Sequence, residues 1–348
     1  MKKLISSKIF ISIAMASLII ILAFYLKIEE GSDYREADRI HGFNLVAPRQ
    51  PFSIDSLLKV KASGAQWIAI VPYAFCNAAN GEITFDHPRQ WWGEKPKGII
   101  ETINMAQSIG LKIMLKPHLW VGGQGWAGDL DFEEDSMWLK FEGDYENYLM
   151  TYAKIADSLD VELLCIGTEI RNSTRQRAAY WLGIINKIKE NYKGKLTYAA
   201  NWDEYEEVSF WSELDYIGID AYFPLSSAKN PSKEELVIAW GKPLGKMQHL
   251  SEKFNKAVLF TEYGYESMDY ATAGHWTLNK DSLEVNFDTQ KVAFESLYNA
   301  LKDESWWDGG FIWKWHLTQN GLSQRTIKTY TPQNKPALES ISKVFKQK

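Results

Sequence analysis

Leu163-Leu-Cys-Ile-Gly-Thr-Glu169 is an unbroken run of apolar and small residues closed by a carboxylate. It has a helical pattern before it over residues 145–158 and another after it over 175–191, so a run this short reads as a buried strand. The same unit recurs along the chain. Strands are predicted over residues 42–47, 67–73, 112–120, 163–169, 195–201, 216–222, 257–262 and 309–315. Helices are predicted over 53–62, 97–108, 145–158, 175–191, 233–254, 289–302 and 337–345. Strands that alternate with helices pair in parallel through right-handed crossovers. Eight units of about forty residues fit a closed (β/α)8 TIM barrel better than an open doubly wound sheet. Ser108-Ile-Gly110 and Tyr192-Lys-Gly194 supply ordinary helix stops before the next strand. No linker or internal repeat divides residues 34–348, which are therefore expected to form one α/β domain.

Residues 1–30 belong to another category. Lys2, Lys3 and Lys8 precede eighteen uncharged, mostly apolar residues, 9–26, a length between a signal-peptide core and a spanning helix. This segment reads as a signal peptide or N-terminal membrane anchor, and its leading lysines favour export of the chain beyond it. No small-x-small pattern closes the run, since Phe24-Tyr25-Leu26 follows Ala23, which favours an uncleaved anchor. The expected location is extracytoplasmic, either secreted or tethered by this segment alone. A net charge of −5 argues against a nucleic-acid surface, because affinity for phosphate backbones needs clustered Lys and Arg. Fifteen Trp and seventeen Tyr are unusual in so polar a chain; indole is a core group first and a platform for sugar rings second. Cys76 and Cys165 are the only cysteines, and both lie in apolar runs. Two buried free thiols are expected, not a disulfide framework.

A second run, Ala257-Val-Leu-Phe-Thr-Glu262, also closes on a glutamate. Isolated buried carboxylates are costly, so two of them at strand ends point to one shared, partly desolvated site. In a (β/α)8 barrel that end carries the chemistry, and a pair of carboxyl groups is what glycoside hydrolysis needs. The strand period of two sorts the neighbouring side chains. Met114, Lys116, His118 and Trp120 share one face, and Ile113, Leu115, Pro117 and Leu119 share the other. Asp220 pairs with Tyr222 in this way, Thr197 with Ala199 and Asn201, and Phe311 with Trp313 and Trp315. Four strands thus aim polar or aromatic groups at the barrel mouth.

Ile166-Gly-Thr-Glu169, Phe260-Thr-Glu-Tyr-Gly264, Asp215-Tyr-Ile-Gly-Ile-Asp-Ala-Tyr222 and Leu115-Lys-Pro-His118 together resemble glycoside hydrolase family 113. These are retaining endo-β-1,4-mannanases of the large clan of (β/α)8 glycosidases, and the resemblance spans nearly the whole chain after its N-terminal segment. It implies that Glu169, ending the fourth strand, is the acid/base and Glu262, ending the seventh, the nucleophile. It implies further that Tyr222 hydrogen-bonds the nucleophile. His118, Asn201 and Asp220 are then candidates for hydroxyl contacts, and Trp313 or Trp315 for the stacking floor. Thr168 stands where many clan relatives carry Asn, so the 2-hydroxyl contact is left unassigned.

Trp91, Trp92, Trp120, Trp126, Trp202 and Trp276 fall in loops on the same side, where cleft lining and ordinary packing compete; Trp120 and Trp202 are carried forward as substrate-binding candidates. Lys116 reads as a buried partner of a carboxylate, with Arg171 as another cation that would bridge the glutamates in a purely structural site. Gly123-Gln-Gly-Trp-Ala-Gly128 matches a dinucleotide fingerprint literally, but the acidic Asp129-Leu-Asp-Phe-Glu-Glu-Asp135 next to it would repel a pyrophosphate. It reads as a flexible cleft loop with solvated carboxylates. The six histidines show no ligand spacing, so no metal and no cofactor is expected. Asn172-Ser-Thr174 reads as a helix cap before a glycosylation site. The expected ligand is a β-linked oligo- or polysaccharide. The alternatives are another β-linked glycan, exo action, or a non-catalytic carbohydrate-binding barrel.

Overall fold

The computed structural model describes residues 39–123, 125–274 and 279–347. The expected N-terminal signal or anchor and Trp276 lie outside the described residues. Among the described residues no helix is long and apolar enough to cross a membrane.

Eight strands close into a parallel barrel: β1 (Ile40–Val46), β2 (Trp67–Ile70), β5 (Lys112–Leu115), β7 (Leu163–Thr168), β8 (Lys195–Asn201), β9 (Tyr216–Asp220), β10 (Ala257–Tyr263) and β11 (Trp307–His316). Around it run α1 (Asp55–Ala62), α2 (Pro96–Ser108), α3 (Asp135–Ser158), α4 (Arg171–Gln176), α5 (Ala178–Asn191), α6 (Lys233–Phe254), α7 (Phe287–Leu301) and α8 (Ala337–Phe345). The strand period of two sets two cores. Met114, Leu163, Cys165, Leu259 and Phe311 fill the barrel, while Ile113, Leu115, Leu164, Ile166, Val258 and Phe260 meet the helices. Ser232 opens α6 with a capping box, its side chain accepting from the Glu235 backbone and the Glu235 carboxylate from the Ser232 backbone. Cys76 and Cys165 are buried free thiols, as expected.

The second and third predicted strands each divide. Pro72 and Pro117 lack the N–H that would continue the ladder. Beyond them the chain resumes as β3 (Tyr73–Asn77) and β6 (His118–Gly122), which pair in parallel and with β4 (Ile83–Thr84) form a separate three-stranded sheet. His118 and Trp120 therefore belong to this sheet and not to the barrel wall. Asn172 lies inside α4, whose cap is Ile170 with no side-chain bond, so the capping role expected of it is absent.

Candidate active site

Both glutamates reach the same cleft, about 710 Å³ in volume, above the carboxyl ends of the barrel strands. Local irregularities bring them there. Between Cys165 and Thr168 the β7 register against β8 slips, and Glu169 follows with a left-handed φ of 52° while its N–H bonds the Ala199 carbonyl at 2.8 Å. A second slip between Phe260 and Glu262 turns Glu262 away from the helix-facing side of Val258 and Phe260.

Glu262 is almost wholly buried and takes two strong donors. The Tyr222 hydroxyl donates to Oε2 at 2.7 Å, and the fully buried Lys116 ammonium donates to Oε1. Burial, and next the charge of Glu262, holds the Tyr222 phenol well above its usual ionisation range, so it remains a donor. Lys116 also lies 3.8 Å from Asp220, whose Oδ1 accepts from the Thr261 hydroxyl at 2.7 Å. One cation thus faces two buried carboxyl groups. Burial and then the charge of Glu262 push the Asp220 carboxyl well above its usual range, against the lowering effect of Lys116. Burial alone would pull the Lys116 ammonium down, but the neighbouring carboxyl groups more than offset it and keep the charge.

Glu169 is half-buried, and the Trp126 indole N–H donates to its Oε2. Burial first, and the charge of Glu262 second, raise its pKa to about 8, against the lowering effects of Trp126 and Lys116. The two carboxyl groups therefore sit in unlike surroundings. Arg171 stacks over Trp126 at 4.4 Å and pairs with Asp129 at 3.1 Å and Asp203 at 3.5 Å. It does not bridge the glutamates. The acidic loop is solvated as expected, with Asp129, Asp131, Glu133, Glu134 and Asp135 all exposed, while Gln176 reaches Asp131 at 3.0 Å and Arg177 reaches Asp135 at 2.6 Å.

Asn201, Trp202, Tyr222, Trp120 and Trp313 line the cleft with the glutamates. Asp220 does not; it is completely buried, held beneath the floor by Thr261 and Lys116. His118 sits beside the cleft, stacked on Tyr73 at 4.9 Å with Trp313 at 6.5 Å, and burial lowers its pKa to about 4, so the ring is neutral. Trp315 packs in the outer core against Phe43 at 4.8 Å. The register slip in β1–β11 explains this: Asn44 faces Trp313 and Leu45 faces Trp315, so the extra residue Lys314 reverses the expected alternation. Thr168 is buried, and among the described residues its hydroxyl has no hydrogen-bond partner. Sequence reasoning missed Tyr330, which lines the cleft from the loop after β11, and Glu204, buried beneath Asn201 and accepting its N–H at 3.0 Å. Tyr330 gave no local signal, whereas Glu204 lies three residues past a strand end, as turn-capping acids do.

The chain thus forms a closed parallel (β/α)8 barrel with two carboxyl groups in unlike surroundings at the ends of its fourth and seventh strands. The model of Glycoside Hydrolase Family 113 matches residues 47–335, and the chain belongs to that family. It is thus a glycoside hydrolase. Among solved structures it is similar to the GH113 β-mannanase of Alicyclobacillus acidocaldarius, with TM-score 0.77 at 23% identity over 88% of this chain and 97% of that one. A second GH113 β-1,4-mannanase gives TM-score 0.75 at 22% identity over 89% of this chain and 100% of the other. The β-glucuronidase of Ruminococcus gnavus gives 0.61 at 14% identity over 88% of this chain and 50% of that one. At such identities the likeness speaks for the fold. No curated protein sequence matches.

Proposed function

We propose that the protein is a retaining hydrolase of β-1,4-linked mannan or glucomannan, with Glu262 as nucleophile and Glu169 as acid/base. The observation that carries this reading is the contrast between the carboxyl groups: Glu262 meets an ammonium and a phenol, while Glu169 has a pKa raised to about 8. Glu262 attacks the anomeric carbon as Glu169 delivers its proton to the departing glycosidic oxygen, leaving a covalent glycosyl-enzyme. Glu169, now a carboxylate, takes a proton from water as that water attacks the same carbon; the Glu262–sugar bond breaks and Glu262 returns as a carboxylate. Trp313 is the floor for the reacting sugar, and Asn201, Trp202 and Trp120 are the side walls. The mannan assignment rests on family membership and on the two mannanases to which the fold is similar.

Mannohexaose, cellohexaose and xylohexaose offered in parallel test the reading. Release of short β-mannosides with the first-formed product in the β configuration is expected. Cleavage of only the other two hexaoses, or an α product, defeats it. Glu262→Ala is expected to cost several orders of magnitude in kcat. Glu169→Ala is expected to spare the first step on substrates with activated leaving groups, which need little protonation. The N-terminal residues support an extracytoplasmic location, which fractionation of cells making the full chain tests directly.

A further inference from the structure

The catalytic cleft does not end at Trp120 and Trp313. Both also wall a smaller cavity of about 230 Å³, reaching Phe75, Trp91, Glu94 and Lys314. Phe75, Trp91 and Glu94 in turn border a further cavity of about 650 Å³ on the outer face of the separate sheet. The three spaces share walls and form one trough.

Its lining is unusual for a surface. Trp120 is 56% exposed, Phe75 41% and Trp91 38%, each well above what a packed aromatic shows. Phe75 and Trp120 are register partners on β3 and β6, so their rings stand side by side. The Arg49 guanidinium lies 4.8 Å from the Trp91 ring and fixes it from one side. Polar groups alternate with these rings. Among the described residues no carboxylate pairs with the half-buried Lys314 ammonium, which lies 5.1 Å from Trp313, and the Glu94 carboxylate accepts from the Trp91 N–H at 3.2 Å and from the Gln90 side chain. Aromatic faces interspersed with polar groups, among them an ammonium with no carboxylate partner, suit the apolar faces and equatorial hydroxyls of a pyranose chain better than they suit a peptide or a lipid.

The trough also has a direction. Trp313 lies 5.8 Å from the Lys116 ammonium that holds Glu262, whereas Trp126 and Arg171 gather at Glu169. It therefore leaves the cleft on the nucleophile's side. We propose that this trough, from Trp120 over Phe75 to Trp91, binds the non-reducing part of a β-linked glycan beyond the sugar that is attacked. The proposal rests on the glycan-hydrolase function proposed for the cleft and deepens it.

Binding to a catalytically silenced Glu262→Gln protein, followed by calorimetry, tests it with mannohexaose and mannotriose. Adding Trp91→Ala is expected to weaken hexaose binding about tenfold, and triose binding markedly less. Phe75→Ala, at an exposed ring whose loss leaves the fold intact, is expected to act in the same direction. Hexaose affinity unchanged by both substitutions, hexaose and triose weakened alike, or no hexaose binding at all overturns the trough. Turnover of mannohexaose by the unsubstituted protein judges the underlying function separately, so an active enzyme whose hexaose affinity is indifferent to both substitutions sinks this inference alone.

Discussion

A carboxyl group changes its chemistry with its neighbours, and Glu169 shows how few are needed. Its left-handed backbone costs about 1–2 kcal/mol in a residue other than glycine, a strain found where surrounding structure dictates side-chain direction. The Trp126 N–H favours the ionised form and so opposes the burial that raises the pKa to about 8. The alkaline limb of kcat/KM is therefore expected near pH 8, where the free enzyme loses its acid. Trp126→Phe removes the donor and keeps an aromatic ring, so the proton is held more tightly and the limb should move up by about one pH unit. A pH profile of the variant checks this, and a downward shift contradicts it. Lys116 gives a second prediction. Lys116→Met leaves two carboxyl groups buried without their cation, which is expected to cost about 3–5 kcal/mol in urea unfolding and most of kcat. Sequence reasoning reached Lys116 as a carboxylate partner, because a lysine between Leu115 and Pro117 on a mouth-facing position has little else to do.

Strand irregularities decide what was legible at the level of elements. The alternation of short apolar runs with amphipathic segments revealed all eight barrel strands, and parity assigned Met114 inward and Ile113 and Leu115 outward correctly. Strict parity, however, groups Glu262 with the outward-facing Val258 and Phe260, and Trp315 with Trp313. Register slips reverse both, and a slip is a property of two paired strands that one strand's sequence does not display. The division at Pro72 and Pro117 was readable in principle, since proline interrupts a ladder, but the residues beyond each proline are equally strand-like and only pairing tells the sheets apart. Pairing also explains Gly218 in the predicted strand. A Cβ there would lie 2.1 Å from the Tyr198 carbonyl, a backbone atom with no room to yield. Gly218→Ala is expected to destabilise by about 1–3 kcal/mol by urea unfolding, and a neutral result would show that the barrel wall adjusts at this point.

For the molecule as a whole, acid–base balance links the site to global stability. The barrel mouth concentrates buried carboxyl groups, and Glu204 is one that takes no direct part in the proposed chemistry. One oxygen holds the Asn201 N–H, and the other, Oε2, is buried without a partner among the described residues. Burial raises its pKa to about 7 against the lowering effect of the Asn201 bond and of Arg171. In the unfolded chain the same group titrates near its ordinary 4.5. Between those two values the native state binds the proton and the unfolded state does not, so this group makes folding weaker as pH rises, a loss complete above about 7. The separation between 4.5 and about 7 corresponds to a cost on the order of 3 kcal/mol. Glu204→Gln keeps an acceptor for Asn201 and has no proton to lose. The stability of the variant relative to the unsubstituted protein is therefore expected to rise steadily from about pH 4 to about pH 7 and to level off beyond. Unfolding curves at each pH measure it. A difference independent of pH would mean that the Glu204 carboxyl reaches water and that the floor beneath Asn201 is more open than its packing indicates.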